Sequence, residues 1–213
     1  MEWRHIKAPT DFEERVIQEI TSIHKPIFLI GWSLGTLTAL QVASSYPERI
    51  KGLILFSGTS RFTSCEQYPS GWHPRIVKRM KNQLQQDKEK TLTLFYEAMF
   101  SQFEKDQGYH HTFIDLTKRK FQGDDTLSLM TGLDYLLERD YRSLLNEIKT
   151  PCLLIHGTED TICPLEASSF ISKQLGEKGQ FSVMDKAGHI PFFTRPEECI
   201  QLIKEFMRRM GDE

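Results

Sequence analysis

The sequence predicts an α/β fold with a mainly parallel sheet and an inserted helical cap. Three observations carry this. Apolar strand, helix and second apolar strand patterns follow one another within residues 26–58. That is a βαβ unit, and a short strand–helix–strand unit implies parallel pairing. The alternation then stops: residues 61 to about 123 show helical patterns and no convincing strand. It returns after Pro151, as strand, helix, strand and closing helix. An all-helical stretch of that length is too long for an ordinary connection. The expected division is a core of 1–60 and 141–213, with a cap of 61–140 between.

Each element has its own signal. "APTDFEERVIQEITSI" offers Thr10 or Asp11 as N-cap, Glu13 or Glu14 three residues on, and Val16, Ile17 and Ile20 at helical spacing. "PIFLI" (26–30) is short, apolar and bounded by Pro and Gly, as a buried strand should be. "LGTLTALQVASSYPER" spaces Leu37, Leu40 and Ala43 helically and stops before Pro47. "IKGLILFSG" (50–58) is the second strand. In the cap, "HPRIVKRMKNQLQQD", "KEKTLTLFYEAMFSQF", "YHHTFIDLTKRKF" and "DDTLSLMTGLDYLLERDY" read as four helices. "CLLIHG" (152–157) and "QFSVM" (180–184) read as strands, "PLEASSFISKQL" (164–175) and "PEECIQLIKEFMRRM" (196–210) as helices.

Composition narrows the classes of function. The 213 residues are 39% hydrophobic and 26% charged with net charge −2, a globular balance with no global signal for nucleic acid. No run approaches the ~18 apolar residues of a membrane span. The N-terminal "MEWRHIKAPTDFEERV" has no apolar signal core, so a cytoplasmic location is expected. The four cysteines, Cys65, Cys152, Cys163 and Cys199, lack metal-binding spacing and read as reduced thiols. Residues 61–123 carry 11 Lys/Arg against 7 Asp/Glu, while the rest carries 16 against 22. A basic cap on an acidic body could attract an anionic partner, although solvated helix faces give the same count.

The chemistry centres on Gly31-Trp32-Ser33-Leu34-Gly35. A strand that turns abruptly into a helix strains the backbone. Glycines two before and two after relieve crowding, and the central side chain is pushed clear of the sheet, which suits a nucleophile. The helix N-terminus behind it presents free N–H groups, so the Leu34 amide is a candidate oxyanion donor. Serine needs a base. His5, His24, His73, His110 and His111 have no special context, and His156, ending a strand, reads as structural. His189, in "DKAGHIPFF", follows the last strand and lies at the C-terminal sheet edge, where such sites assemble. An acid should hold the imidazole. Asp160, just past strand 152–157, lies at the same edge; Glu159 and Asp185 are alternatives nearby.

Together "GWSLG", "HGTEDTICP" and "AGHIPFF" resemble the α/β-hydrolase superfamily. The longer stretch "GWSLGTLTALQVASSYPERIKGLILFSGTSRF", with "YPSGWHPRIVKRMKNQLQQD", resembles the esterases that cleave the methyl ester of pimeloyl-carrier protein in biotin synthesis. The resemblance runs from about Pro26 to the C-terminus and includes the cap. It implies Ser33 as nucleophile, Asp160 as acid and His189 as base. It also implies that Trp32 and Leu34 border the substrate, and that Phe95, Tyr96, Glu97, Ala98 and Met99 align with a substrate-contacting segment. A buried helix face would explain those last five equally well.

In that family several strands precede the elbow, one ending in an HG loop that supplies a second oxyanion N–H. Here residues 1–25 precede "PIFLI" without such a loop, and "EWRHI" reads as the remnant of a later strand. An N-terminally truncated member is therefore expected, with an unpaired edge on strand 26–30 open to self-association. The family's carrier-binding cap arginines are matched only in part: Lys90 falls near one, Gln107 and His111 at others. The resulting expectation is a serine carboxylesterase without metal or organic cofactor. Its substrate is a small or carrier-bound acyl ester, with acyl carrier protein at the basic cap and neither nucleic acid nor membrane as partner. A thioesterase or carbon–carbon bond hydrolase on the same residues is the alternative, as is an impaired remnant that only binds.

Overall fold

The computed structural model describes residues 3–120 and 125–211. The chain runs α1 (Asp11–Ser22), β1 (Ile27–Trp32), α2 (Leu34–Ser45) and β2 (Ile50–Phe56). Five helices follow: α3 (Pro74–Gln86), α4 (Lys88–Ala98), α5 (Gln102–Asp106), α6 (Tyr109–Lys120) and α7 (Thr126–Glu138). The sheet resumes with β3 (Cys152–Gly157), α8 (Leu165–Leu175), β4 (Gly179–Met184), α9 (Pro191–Thr194) and α10 (Pro196–Arg209). All pairings are parallel, and the strand order is β1-β2-β3-β4. The expected α/β architecture is thus observed.

Period-2 alternation explains why helices cover both faces of the sheet. Leu53 and Leu55 of β2, with Cys152 and Leu154 of β3, join a core built on α1, α2 and α8. Their neighbours Ile54, Phe56, Leu153 and Ile155 join the opposite core, with Cys199 and Phe206 of α10. The inserted helices have a separate core of Phe62, Val77, Leu84, Met99, Phe100 and Leu133. That core reaches Ile162, Cys163 and Ile190, which lie in the loops after β3 and β4. The insert therefore rests on the sheet edge where those loops emerge. Its neck is closed by Arg61, whose guanidinium bonds Asp140 Oδ2 at 2.6 Å; Arg142 bonds the same oxygen at 2.7 Å.

Three local expectations are corrected. Of "EWRHI", residues 3–6 are described and are not a strand: the backbone turns, with His5 at φ 61°. The His5 and Ile6 amides donate to Asp125 and Ser128 at the start of α7, which fixes the segment there instead. Thr10 stands at the N-cap of α1 as expected, but its side chain makes no cap bond. Asp11 accepts from the Lys7 and Ala8 amides, and Glu13 turns inward to Arg139 and Tyr141. The single helix expected from 88 breaks at Met99, because Ser101 and Glu104 form a complete capping box that starts α5 afresh. Residues 121–124, which hold the expected end of the third cap helix, the connection and the expected start of the fourth, lie outside the described residues.

Candidate active site

Ser33 occupies the turn between β1 and α2 with φ 53° and ψ −119°. A non-glycine residue in this region is strained, and it is held by its neighbours. The Ser33 amide donates to the Phe56 carbonyl at 3.0 Å, and its carbonyl accepts from Thr36 at 2.9 Å. Gly31 is obligatory: a Cβ there would lie 2.7 Å from the Gly35 carbonyl oxygen. Gly35 is different. A Cβ there would meet nothing within 4 Å, so its role is not relief of crowding; it lines a cavity. The Leu34 and Gly35 amides open α2, where helix N–H groups have no intrahelical acceptor.

Asp160 and His189 come together from separate loops. Asp160, buried after β3, has both carboxylate oxygens saturated. Oδ1 accepts from the Ile162 and Cys163 amides, each at 2.9 Å. Oδ2 meets His189 Nδ1 at 2.8 Å and His156 Nε2 at 3.1 Å. Burial pushes this carboxyl's pKa up, but His189 and His156 outweigh it, and the net effect holds Asp160 well below the usual carboxylate range. The alternatives Glu159 and Asp185 are exposed. His156 is more than a packed core residue: its Nδ1 meets Ser168 Oγ at 2.7 Å and its Nε2 the Cys163 carbonyl at 2.8 Å. Nothing in the sequence pairs it with Asp160 beyond an i, i+4 spacing across a strand end.

His189 is fully buried, and its Nε2 has no hydrogen-bond partner. Ser33 and His189 both line one cavity of about 240 Å³. Trp32 lines it too, donating its indole N–H to the His189 carbonyl at 3.0 Å. The other walls are largely apolar: Phe62, Trp72, Met80, Leu129 and Leu133 come from the insert, and Trp3, Phe12 and Ile162 from outside it. Of the five cap residues singled out by resemblance, Phe95 alone lines this cavity. Tyr96 packs on Phe113, Glu97 is exposed, and Ala98 borders a second, outer hollow of about 470 Å³. Met99 is buried in the insert core, because the helix ends there and turns it inward. The outer hollow shares Trp72, Met80, Phe95 and Ile162 with the inner cavity, and exposed Arg79 and Lys90 stand on its border.

No group of metal-binding side chains occurs among the described residues. All four cysteines are unpaired. No helix among the described residues is long and apolar enough to cross a membrane. A hydroxyl at a strand–helix elbow, an imidazole with one free nitrogen and a buried carboxylate behind it can together activate a nucleophile.

A strand–elbow–helix beside a histidine loop and an acid loop at one edge of a parallel sheet defines a class, and the sequence comparison agrees. The model for the alpha/beta hydrolase fold matches residues 4–196, and the chain belongs to that family. Among similar proteins, the pimeloyl-[acyl-carrier protein] methyl ester esterase of Yersinia enterocolitica is 30% identical over 180 residues, covering 84% of this chain and 69% of that protein. The protein of the same name from Wigglesworthia glossinidia brevipalpis is 30% identical over 206 residues, covering 94% of this chain and 79% of that one. The Neisseria meningitidis serogroup A protein of that name is 28% identical; 96% of this chain aligns, spanning 64% of that relative's length. Among solved structures, an esterase from Exiguobacterium antarcticum superposes with a TM-score of 0.83 at 21% identity, over 94% of this chain and 74% of that one. At that identity the likeness speaks for the fold.

Proposed function

We propose that the protein is a carboxylic ester hydrolase in which Ser33, His189 and Asp160 form the catalytic triad. One observation carries this: His189, whose buried Nε2 is unpartnered and whose Nδ1 is committed to Asp160, lines the same apolar cavity as Ser33. His189 Nε2 takes the Ser33 proton as Oγ bonds to the ester carbonyl carbon. The carbonyl oxygen becomes an oxyanion at the Leu34 amide, at the positive end of α2. Collapse breaks the ester C–O bond, and His189 gives its proton to the departing alkoxide. Water then attacks the acyl-enzyme with His189 as base, releasing the acid and restoring the Ser33 hydroxyl. Asp160 keeps its charge throughout and stabilises the imidazolium.

The acyl side of the substrate is apolar, because the cavity walls are. The outer hollow, with Arg79 and Lys90 on its border, leaves room for a long tether that ends in an anionic carrier. We therefore assign the methyl ester of a carrier-bound acyl chain as the substrate, with the Arg79 and Lys90 side of the insert as the docking side, in a reducing compartment such as the cytoplasm. Residues 61–140 act as the cap over the site.

The test compares three substrates with one acyl chain: its methyl ester on acyl carrier protein, the free methyl ester, and a thioester. The account expects kcat/KM to be highest for the carrier-bound methyl ester. Faster thioester cleavage would make the protein a thioesterase on the same residues.

A further inference from the structure

We infer that the Ser101/Glu104 capping box of the insert is a positioning device for His189, holding the histidine loop in its working place. This rests on the triad reading above, and adds residues to it that never touch substrate.

The loop after β4 is bound to the α4–α5 junction at Lys186, Gly188 and His189. The His189 amide donates to the Met99 carbonyl at 2.7 Å. The Gly188 amide donates to Glu104 Oε2 at 3.0 Å. Ser101 Oγ donates to the Lys186 carbonyl at 2.7 Å. Beyond the histidine, Thr194 Oγ1 donates to Glu104 Oε1 at 2.6 Å. The acid loop is tied to the same place, since Thr161 Oγ1 donates to the Ala98 carbonyl at 2.9 Å. The junction thus touches both loops that supply the imidazole and its carboxylate.

Glu104 is the centre of this arrangement. The residue is 1% exposed, and its carboxylate oxygens accept from the Ser101 amide, the Gly188 amide and the Thr194 hydroxyl. These three donors are neutral. A buried carboxylate is a costly way to gain stability, so what it organises is the better clue to its use. The loop it holds backs closely onto the junction: a Cβ on Gly188 would lie 2.4 Å from the Met99 carbonyl oxygen. It is also strained at Lys186, which sits at φ 58°. Strain of this kind persists where surrounding bonds over-determine it, and it clusters at functional sites. The same helix α4 carries Phe95 into the substrate cavity. Substrate packing on the insert and placement of His189 therefore share one helix end.

The experiment uses the full chain with Glu104→Ala, Glu104→Gln and Ser101→Ala, beside wild type and Ser33→Ala. Glutamine can still accept from the two amides through its carbonyl and turn its NH2 to Thr194, so it should restore most of what alanine removes. For a small ester, Glu104→Ala should lower kcat about tenfold to a hundredfold, since a displacement of about 1 Å at a catalytic group costs on that order. KM should change less than about twofold, because Glu104 is not in the cavity wall. Hydrogen–deuterium exchange should rise across 186–190 in Glu104→Ala and return to near wild type in Glu104→Gln. Ser101→Ala, which keeps the carboxylate, should fall between them and serves if Glu104→Ala does not fold. A folded Glu104→Ala or Ser101→Ala with unchanged kcat, or unchanged exchange at 186–190, would overturn the inference. Wild type without Ser33-dependent turnover would instead defeat the proposed function, and the exchange data alone would then decide whether Glu104 holds the loop.

Discussion

Ser33, held at φ 53° between a strand and a helix, and Asp160, saturated by two amides and two imidazoles, carry the account at the scale of single residues. Replacing Asp160 with Asn keeps the shape but turns an acceptor pair into an acceptor and a donor. His189 then loses its tautomer and its counter-charge. Steady-state kinetics of Asp160→Asn should show kcat lower by about 10⁴-fold, as expected for a triad carboxylate, in protein with unchanged circular dichroism. The two elbow glycines should separate cleanly. Gly31→Ala drives a Cβ into the Gly35 carbonyl and should destabilise by about 1–3 kcal/mol, the usual cost of overpacking. Gly35→Ala meets open space at a helical position and should leave Tm unchanged or slightly raised. Thermal melts of both variants check this; equal losses would contradict it.

Among the elements, the insert is attached by a neck where Arg61 and Arg142 grip Asp140. The Arg142 hydrogen bond is the main cause that lowers the Asp140 pKa to about 2, with burial opposing and Arg61 assisting. The folded value is below that of the unfolded chain, so this stabilisation is present above about pH 4 and is lost as the pH falls toward 2. Asp140→Asn should therefore be less stable than wild type in urea at pH 6, and the gap should narrow as the pH is lowered through 3. A gap that stays constant would show that the charge is not what closes the neck.

The βαβ unit, the elbow and the return of strands after Pro151 could all be read from short-range patterns, since strand and helix periods and the Gly-x-Ser-x-Gly spacing are local. The nearness of His189 and Asp160 is legible in the sequence too, since each follows a strand at the same sheet edge. The break at Met99 was not: no Gly or Pro marks it. Its only signal was Ser101 followed by Glu104, a capping-box spacing inside an apolar helical pattern. The bond from His156 to Asp160, and that from the His189 amide to the Met99 carbonyl, had no local signal. The second joins residues 90 apart through backbone atoms that every residue shares. Met99, aligned by resemblance with a substrate-contacting segment and explained equally well by a buried helix face, has its side chain in the insert core.

At the scale of the whole molecule, four parallel strands are covered by helices on both faces, but β1 has no strand on its outer side among the described residues. Ile30 on β1 is 58% exposed and Trp32 36%. An apolar edge strand is a template for pairing with another chain. The protein should self-associate with rising concentration in sedimentation velocity, and Ile30→Lys should shift it toward monomer. A monomer at every concentration would mean that this edge is covered in solution.

Whether Ser33 is a working nucleophile served by His189 is read from p-nitrophenyl butyrate turnover and fluorophosphonate labelling of wild type and Ser33→Ala. The account predicts turnover and a single covalent adduct on Ser33 in wild type, and neither in the variant. Folded wild-type protein that neither hydrolyses the ester nor takes the label, or turnover that survives in Ser33→Ala, would contradict it.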